Sequence, residues 1–176
     1  SARLDMAMLE NSIKHLNQYP QALALSLSGQ TLKDAESQAS LLQILRNNPR
    51  KDGLLTLELD ERHLPPAAQL EQLSQSVRAA GYSLGLQHFG GNFSLIGNLT
   101  NLGLAYLKID GSYIRAIDQE ADKRTFIEAV FRATNSIDMP LIAEMVETQG
   151  ELDVLKDIGI EGAMGRLIGS PAPWGA

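Results

Sequence analysis

Apolar residues along this chain recur first every three to four residues or so and then roughly every two, over and over, which predicts helices and strands in alternation. Residues 3–18 place Leu4, Met8, Leu9, Ile13 and Leu16 at helical spacing, with Asp5, Glu10, Asn11, Lys14 and His15 around them. An amphipathic helix is expected there, ended by Pro20, and ALALSLS at 22–28 follows as the first strand. The same reading gives a helix over 35–48, a strand over 54–59, and a helix over 66–80 opened by the Pro65-Pro66 pair. A third strand over 83–88 runs into a bend at Gly90-Gly91 and a short helical segment bearing Leu95, Ile96 and Leu99. Strands over 105–109, 140–143 and 161–164 are separated by helices over 123–137 and 149–158.

About six βα units in sequence order predict parallel strands joined by right-handed crossovers. An open doubly wound sheet fits that alternation, but no glycine fingerprint follows the first strand. Polar residues instead recur at the C-terminal ends of several strands, where an α/β barrel holds its chemistry: Glu58, Lys108, Glu144 and Glu147. The fold class expected is therefore α/β, a TIM-like (β/α) barrel. At 176 residues the chain has room for one core, whereas a full eight-stranded barrel needs about 200 or more. Residues 1–176 are expected to be a single, N-terminally incomplete domain, a piece of a larger protein with the missing strands before Ser1.

Charge narrows the partners. Fifteen Lys and Arg against 21 Asp and Glu give a net charge of −6. The densest basic run, RNNPRK, is a helix end and loop, so no DNA or RNA duplex is expected as a partner. The absence of cysteine excludes disulfides and thiolate sites, in keeping with a reducing compartment. No apolar run is long enough to span a bilayer.

Taken singly, each polar residue has an ordinary explanation. Glu58 reads as a solvated strand end, Lys108 as a partner of Asp110, and Glu144 with Glu147 as acids at a helix N-terminus. Taken together, several carboxylates and a lysine around one mouth suit a divalent-metal phosphoesterase.

LSLSGQTL at 25–32, LELDER at 57–62, QHFGGNFSLI at 87–96, YLKIDGSYI at 106–114, LIAEMVET at 141–148 and GAMGRLIGSPAP at 162–173 resemble, in order, strands of the EAL family. That family comprises bacterial phosphodiesterase domains that hydrolyse cyclic di-GMP on an α/β barrel. The resemblance covers nearly the whole chain, with Lys-Ile-Asp and Ala-Glu-x-Val-Glu-Thr its most specific strings. It implies metal-ligand roles for Glu58 and Glu144, a catalytic role for Lys108, and a supporting role for Glu147. Four positions depart from the pattern: Ser26 stands for the asparagine ligand, Gln87 and His88 for the aspartate pair, and Met164 for a glutamine at the site. The signature Glu-Ala-Leu strand would lie before Ser1.

These losses have a physical direction. Two unit charges about 4 Å apart repel by roughly 4 kcal/mol at an effective dielectric near 20, so a carboxylate cluster depends on its cations. Neutral Gln87 and His88 remove repulsion and ligands together. No metal cofactor is expected, and the surviving Glu58, Lys108, Glu144 and Glu147 are read as remnants of a catalytic site. For His88 two readings stand: ligation of a softer metal with Glu58, or a hydrogen bond to ligand phosphate or a neighbouring carboxylate.

The combination HFGG, LKIDGSYIRAIDQE and GRLIGSPAPW is most similar to the degenerate domains of LapD-type receptors. Those bind cyclic di-GMP without hydrolysis, dimerise, and act from the cytoplasmic side of the inner membrane on a periplasmic protease that controls adhesion and biofilm. The resemblance implies a cyclic di-GMP site built from Gln87, His88, Lys108, Glu144, Glu147, Gly165, Arg166 and Pro171, and a homodimer. Arg166 also reads as a rim salt bridge and Trp174 as a cap on apolar surface. The alternative is a protein-interaction module that no longer binds nucleotide, favoured by Ser26, Gln87, His88 and Met164. An active phosphodiesterase is a third reading and needs ligands this chain lacks.

Overall fold

The structure, a computed structural model, describes residues 1–169. Two compact units account for them: residues 1–87 with 97–105, and residues 88–96 with those from 106 onward. In the first unit, α1 (Ala2–Gln18) precedes β1 (Leu23–Ser26), α2 (Gly29–Lys33), α3 (Ala35–Asn47), β2 (Leu55–Asp60) and α4 (Ala67–Ala79). Next comes β3 (Ser83–Phe89), whose last two residues fall in the second unit, and then the one-turn α5 (Leu99–Leu102). Strands β1, β2 and β3 are parallel neighbours, in a register that pairs Ser26 with Glu58 and Asp60 with Gln87. The second unit holds β4 (Tyr106–Ile109), α6 (Gly111–Ile114), α7 (Ala121–Asn135), β5 (Leu141–Ala143), α8 (Gln149–Ile158) and β6 (Gly162–Ala163). There Lys108 pairs with Ile142, and Ala143 with Ala163, again in parallel.

The predicted elements occur in the predicted order, joined by two short helices, α2 and α6, that the periodicity does not predict. Strand β2 shows why: Leu55, Leu57 and Leu59 alternate with Thr56, Glu58 and Asp60, and all six are buried. A parallel strand covered on both faces has that character. Strand ends are shorter than the periodicity predicts. The first strand stops at Ser26 because Ser28 caps α2, its Oγ accepting from Thr31 N, and β6 is only two residues long, leaving Met164 just beyond it.

Helix α1 corrects the expected face. Leu4 and Met8 are exposed, and the buried stripe is Asp5, Leu9, Ser12, Ile13 and Leu16. Asp5 is drawn inward because its Oδ2 accepts from Ser28 N (2.7 Å) and Thr31 Oγ1 (2.5 Å), fixing the helix to the β1–α2 turn. Asp5→Ala leaves Ser28 N–H without its acceptor and Thr31 Oγ1 with only the 3.3 Å contact to Ser28 Oγ, and is expected to cost about 2 kcal/mol, measured as a lower urea midpoint at an unchanged slope.

Candidate functional site

The chemistry-bearing side chains lie at the C-terminal ends of strands, in a separate cluster in each unit. In the first unit, Ser26 Oγ lies 3.4 Å from Glu58 Oε2 and 3.4 Å from Gln87 Oε1. The Ser26 hydroxyl thus stands between a buried carboxylate and an amide oxygen. Two residues on, Asp60 is held by Arg62 through a two-pronged contact, Nε to Oδ1 at 2.9 Å and Nη2 to Oδ2 at 2.5 Å. Sequence reasoning missed that pair, although LELDER contains both members.

In the second unit, His88 has φ 58, a left-handed conformation uncommon for a residue with a Cβ. This breaks the regular alternation of β3 and brings Nδ1 to 3.0 Å from Asp110 Oδ1 and 3.4 Å from Glu144 Oε2. The imidazole thus meets neighbouring carboxylates, a contact that one of the two readings for His88 expects. Asp110 also caps α6, its Oδ2 accepting from Ser112 N at 3.1 Å and from Ser112 Oγ. Burial pushes the Asp110 carboxyl up, but the Ser112 donors and the His88 imidazole outweigh it and hold the group below the usual carboxylate range.

Lys108 is buried on β4, with Nζ 5.3 Å from the centroid of the Tyr106 ring two residues earlier on the same strand face. Glu144 directly follows β5, and its N–H donates to Ile109 O. The helix-dipole reading of Glu144 and Glu147 is corrected: α8 starts only at Gln149, capped by Thr148, so both acids precede it. Glu147 faces Arg115 at 3.7 Å instead.

A groove of about 630 Å³ opens beside Glu147, bordered by Met145, Met164, Gly165, Arg166 and Ile168. Among the described residues Arg166 makes no ion pair, so the rim salt bridge expected for it is not formed there. Met145 takes φ 57 and is about half exposed, as is Ile168. Pro171 and Trp174 lie outside the described residues.

Residues 1–171 match the family model described as EAL domain. The chain belongs to the EAL family. Cyclic di-GMP phosphodiesterase PdeB of Shewanella oneidensis is 34% identical over 104 residues, 59% of this chain and 12% of that protein. The structure of Vibrio cholerae LapD S helix-GGDEF-EAL bound to c-di-GMP superposes with a TM-score of 0.85 at 23% identity. It covers 96% of this chain, which in turn spans 42% of it. The manganese/cy-diGMP complex of Klebsiella pneumoniae BlrP1 gives a TM-score of 0.78 at 23% identity, covering 94% of this chain and 44% of that one. At such identity the likeness shows the fold, the TIM-like (β/α) type expected. The EAL domain spans only 12 to 29% of the length of the curated relatives it matches. No described helix is long and apolar enough to cross a membrane.

A hard-cation centre of the kind seen with manganese in BlrP1 fits this donor set poorly. Mg²⁺ and Mn²⁺ favour several anionic or carbonyl oxygens in octahedral order. Around Glu58 the chain supplies a serine hydroxyl and a glutamine amide, and the donor beside Glu144 is an imidazole.

Proposed function

We propose that this EAL domain binds cyclic di-GMP without hydrolysing it. Its parent would be an inner-membrane receptor whose cytoplasmic ligand state sets dimerisation and, through other domains and a periplasmic protease, adhesion and biofilm. The observation that carries this reading is the neutral bonding around the former metal positions. The Ser26 hydroxyl stands between Glu58 and the Gln87 amide, and His88 sits against Asp110 and Glu144, so like charges are relieved without a pair of divalent ions. Without those ions the attacking water loses its activation. Binding needs less. Lys108 and Arg166 supply cations for phosphate or guanine, Glu147 a hydrogen-bond acceptor, and Gly165 a close backbone approach, with Gln87, His88, Glu144 and Pro171 completing the proposed contacts. The c-di-GMP complexes of LapD and BlrP1 supply the ligand class.

Calorimetric titration with cyclic di-GMP, paired with chromatography of the nucleotide after incubation with Mn²⁺, tests the reading. Micromolar binding with no linear dinucleotide is expected, and light scattering should show a larger species with nucleotide than without. Absence of heat at high micromolar nucleotide, or turnover, would overturn it.

The second reading, a nucleotide-independent protein-interaction module, is favoured by the apolar rim of the groove. Met145, Met164 and Ile168 border it and are between 43% and 52% exposed, more apolar surface than nucleotide phosphates require. A partner retained in pull-downs regardless of cyclic di-GMP would support it.

A further inference from the structure

We propose that the exposed face of α1 is a self-association surface, on which a second copy of this chain lays its own α1 antiparallel. Leu4, Met8, Asn11, His15 and Tyr19 follow one another at intervals of three or four residues, so they form one stripe along the helix and its C-cap. Leu4 and Tyr19, 59% and 62% exposed, are the most exposed large apolar side chains among the described residues, and Met8 between them is exposed as well. The Tyr19 ring lies 5.3 Å from the His15 ring, so the residue beyond the helix end extends the stripe. The other apolar stripe of α1, with Leu9, Ile13 and Leu16, is already buried in the core, so this one needs a partner of its own. No Asp, Glu, Lys or Arg interrupts it; Arg3, Glu10 and Lys14 fall to one side.

The stripe is complementary to itself, which selects a second copy as the occupant. In an antiparallel helix pair about a twofold axis, the numbers of facing residues have a constant sum, and 4 with 19 and 8 with 15 share one. Leu4 then covers the partner's Tyr19 ring, and the Met8 thioether meets the partner's His15 imidazole, a favourable sulfur–aromatic contact. Asn11 falls beside the axis, where two side-chain amides can exchange hydrogen bonds, and one polar pair inside an apolar seam fixes its register. A parallel pair would instead set like helix ends together, against the dipoles. Area sets the strength. A strip about 25 Å long and about 10 Å wide is well below the roughly 800 Å² that each partner of a standard interface buries, so a weak, concentration-dependent pair is expected. It forms without nucleotide and stands apart from the ligand-set dimerisation proposed above.

The chain has no cysteine, so an introduced thiol reports a single contact. In the full chain without nucleotide, Asn11→Cys should form a disulfide dimer under mild oxidant at least about tenfold faster than Glu71→Cys, an exposed position on α4 that reads chance collision. Leu4→Cys should crosslink only when mixed with Tyr19→Cys, because the two copies of position 4 lie about 22 Å apart along the helices, beyond the roughly 7 Å between Cα atoms that a disulfide spans. Sedimentation equilibrium up to about 500 µM should show a reversible wild-type dimer, weakened at least about tenfold by Met8→Asp, whose folding circular dichroism checks. Equal crosslinking of Asn11→Cys and Glu71→Cys would overturn the proposal, as would Leu4→Cys crosslinking to itself, a wild-type protein monomeric throughout, or a dimer unaffected by Met8→Asp. Because nucleotide is absent throughout, failure here leaves the cyclic di-GMP reading standing, and failure of that reading leaves this surface standing.

Discussion

Glu151→Ala is expected to destabilise the domain by about 3 kcal/mol, the largest loss from any single carboxylate in the chain. The side chain is buried, and its two oxygens serve three backbone donors from two loops. Oε1 accepts from Glu147 N (2.9 Å) and Thr148 N (3.1 Å), and Oε2 from Ala116 N (2.8 Å). Thr148 Oγ1 returns the bond to Glu151 N at 3.2 Å, completing a capping box at the start of α8. Truncation leaves three N–H groups without their acceptor and frees the α6–α7 loop from the segment that carries Glu147. Glu151→Gln keeps an acceptor for two of the donors but can turn its amide NH₂ against Ala116 N–H, so roughly half the loss is expected.

The effect depends on pH with a definite sign. Burial pushes the Glu151 carboxyl up, but the N–H groups of Glu147, Ala116 and Thr148 and the Thr148 hydroxyl more than offset this, so its folded pKa lies below the usual glutamate value. A depressed carboxylate contributes stability that is complete above its unfolded pKa and disappears as pH falls through its folded one. Urea unfolding of wild type and Glu151→Ala should therefore differ most near neutrality and converge in acid. Parallel curves down to the lowest pH would show that the carboxylate charge contributes nothing.

Gly165→Ala is expected to cost about 3 kcal/mol or more and to abolish the groove beside Arg166. Gly165 has φ 144, a conformation L residues rarely adopt, and an added Cβ would stand 2.4 Å from Val146 N and 2.5 Å from Val146 O. Both clashing atoms are main chain and have no flexible end to swing aside. They also hold this crossing together: Val146 N donates to Met164 O at 3.0 Å and Leu167 N donates to Val146 O at 3.1 Å. Relief of the clash must break one or both bonds and shift Met164 and Arg166 relative to Glu147. Thermal unfolding measures the first effect, and calorimetry with cyclic di-GMP the second. A variant that unfolds at the wild-type temperature and retains wild-type affinity would contradict the account.

Legibility of the chain followed the range of the forces involved. Helix α8 and strand β2 were readable because each is specified within a few residues, by Leu152, Leu155 and Ile158 at helical spacing and by Leu-x-Leu-x-Leu alternation. The buried face of α1 was not, because the partner of Asp5 is the turn at Ser28 and Thr31, more than twenty residues away. The same limit hid Asp110. In YLKID it looks like a lysine's local partner, and only the left-handed turn of His88 makes it the imidazole's neighbour.

By itself the sequence determined the order of six βα units, the strand-end positions of Glu58, Lys108 and Glu144, and the neutral character of Ser26, Gln87 and Met164. Those are matters of periodicity and residue chemistry, which the chain carries locally. Tertiary structure alone decided which of these groups meet. Ser26 bonds to Glu58 and Gln87 because parallel register lays three strand ends side by side, and His88 joins Asp110 and Glu144 because one backbone angle turns it there. Side-chain contact depends on register and on individual dihedral angles, and neither is written in the spacing of hydrophobic residues.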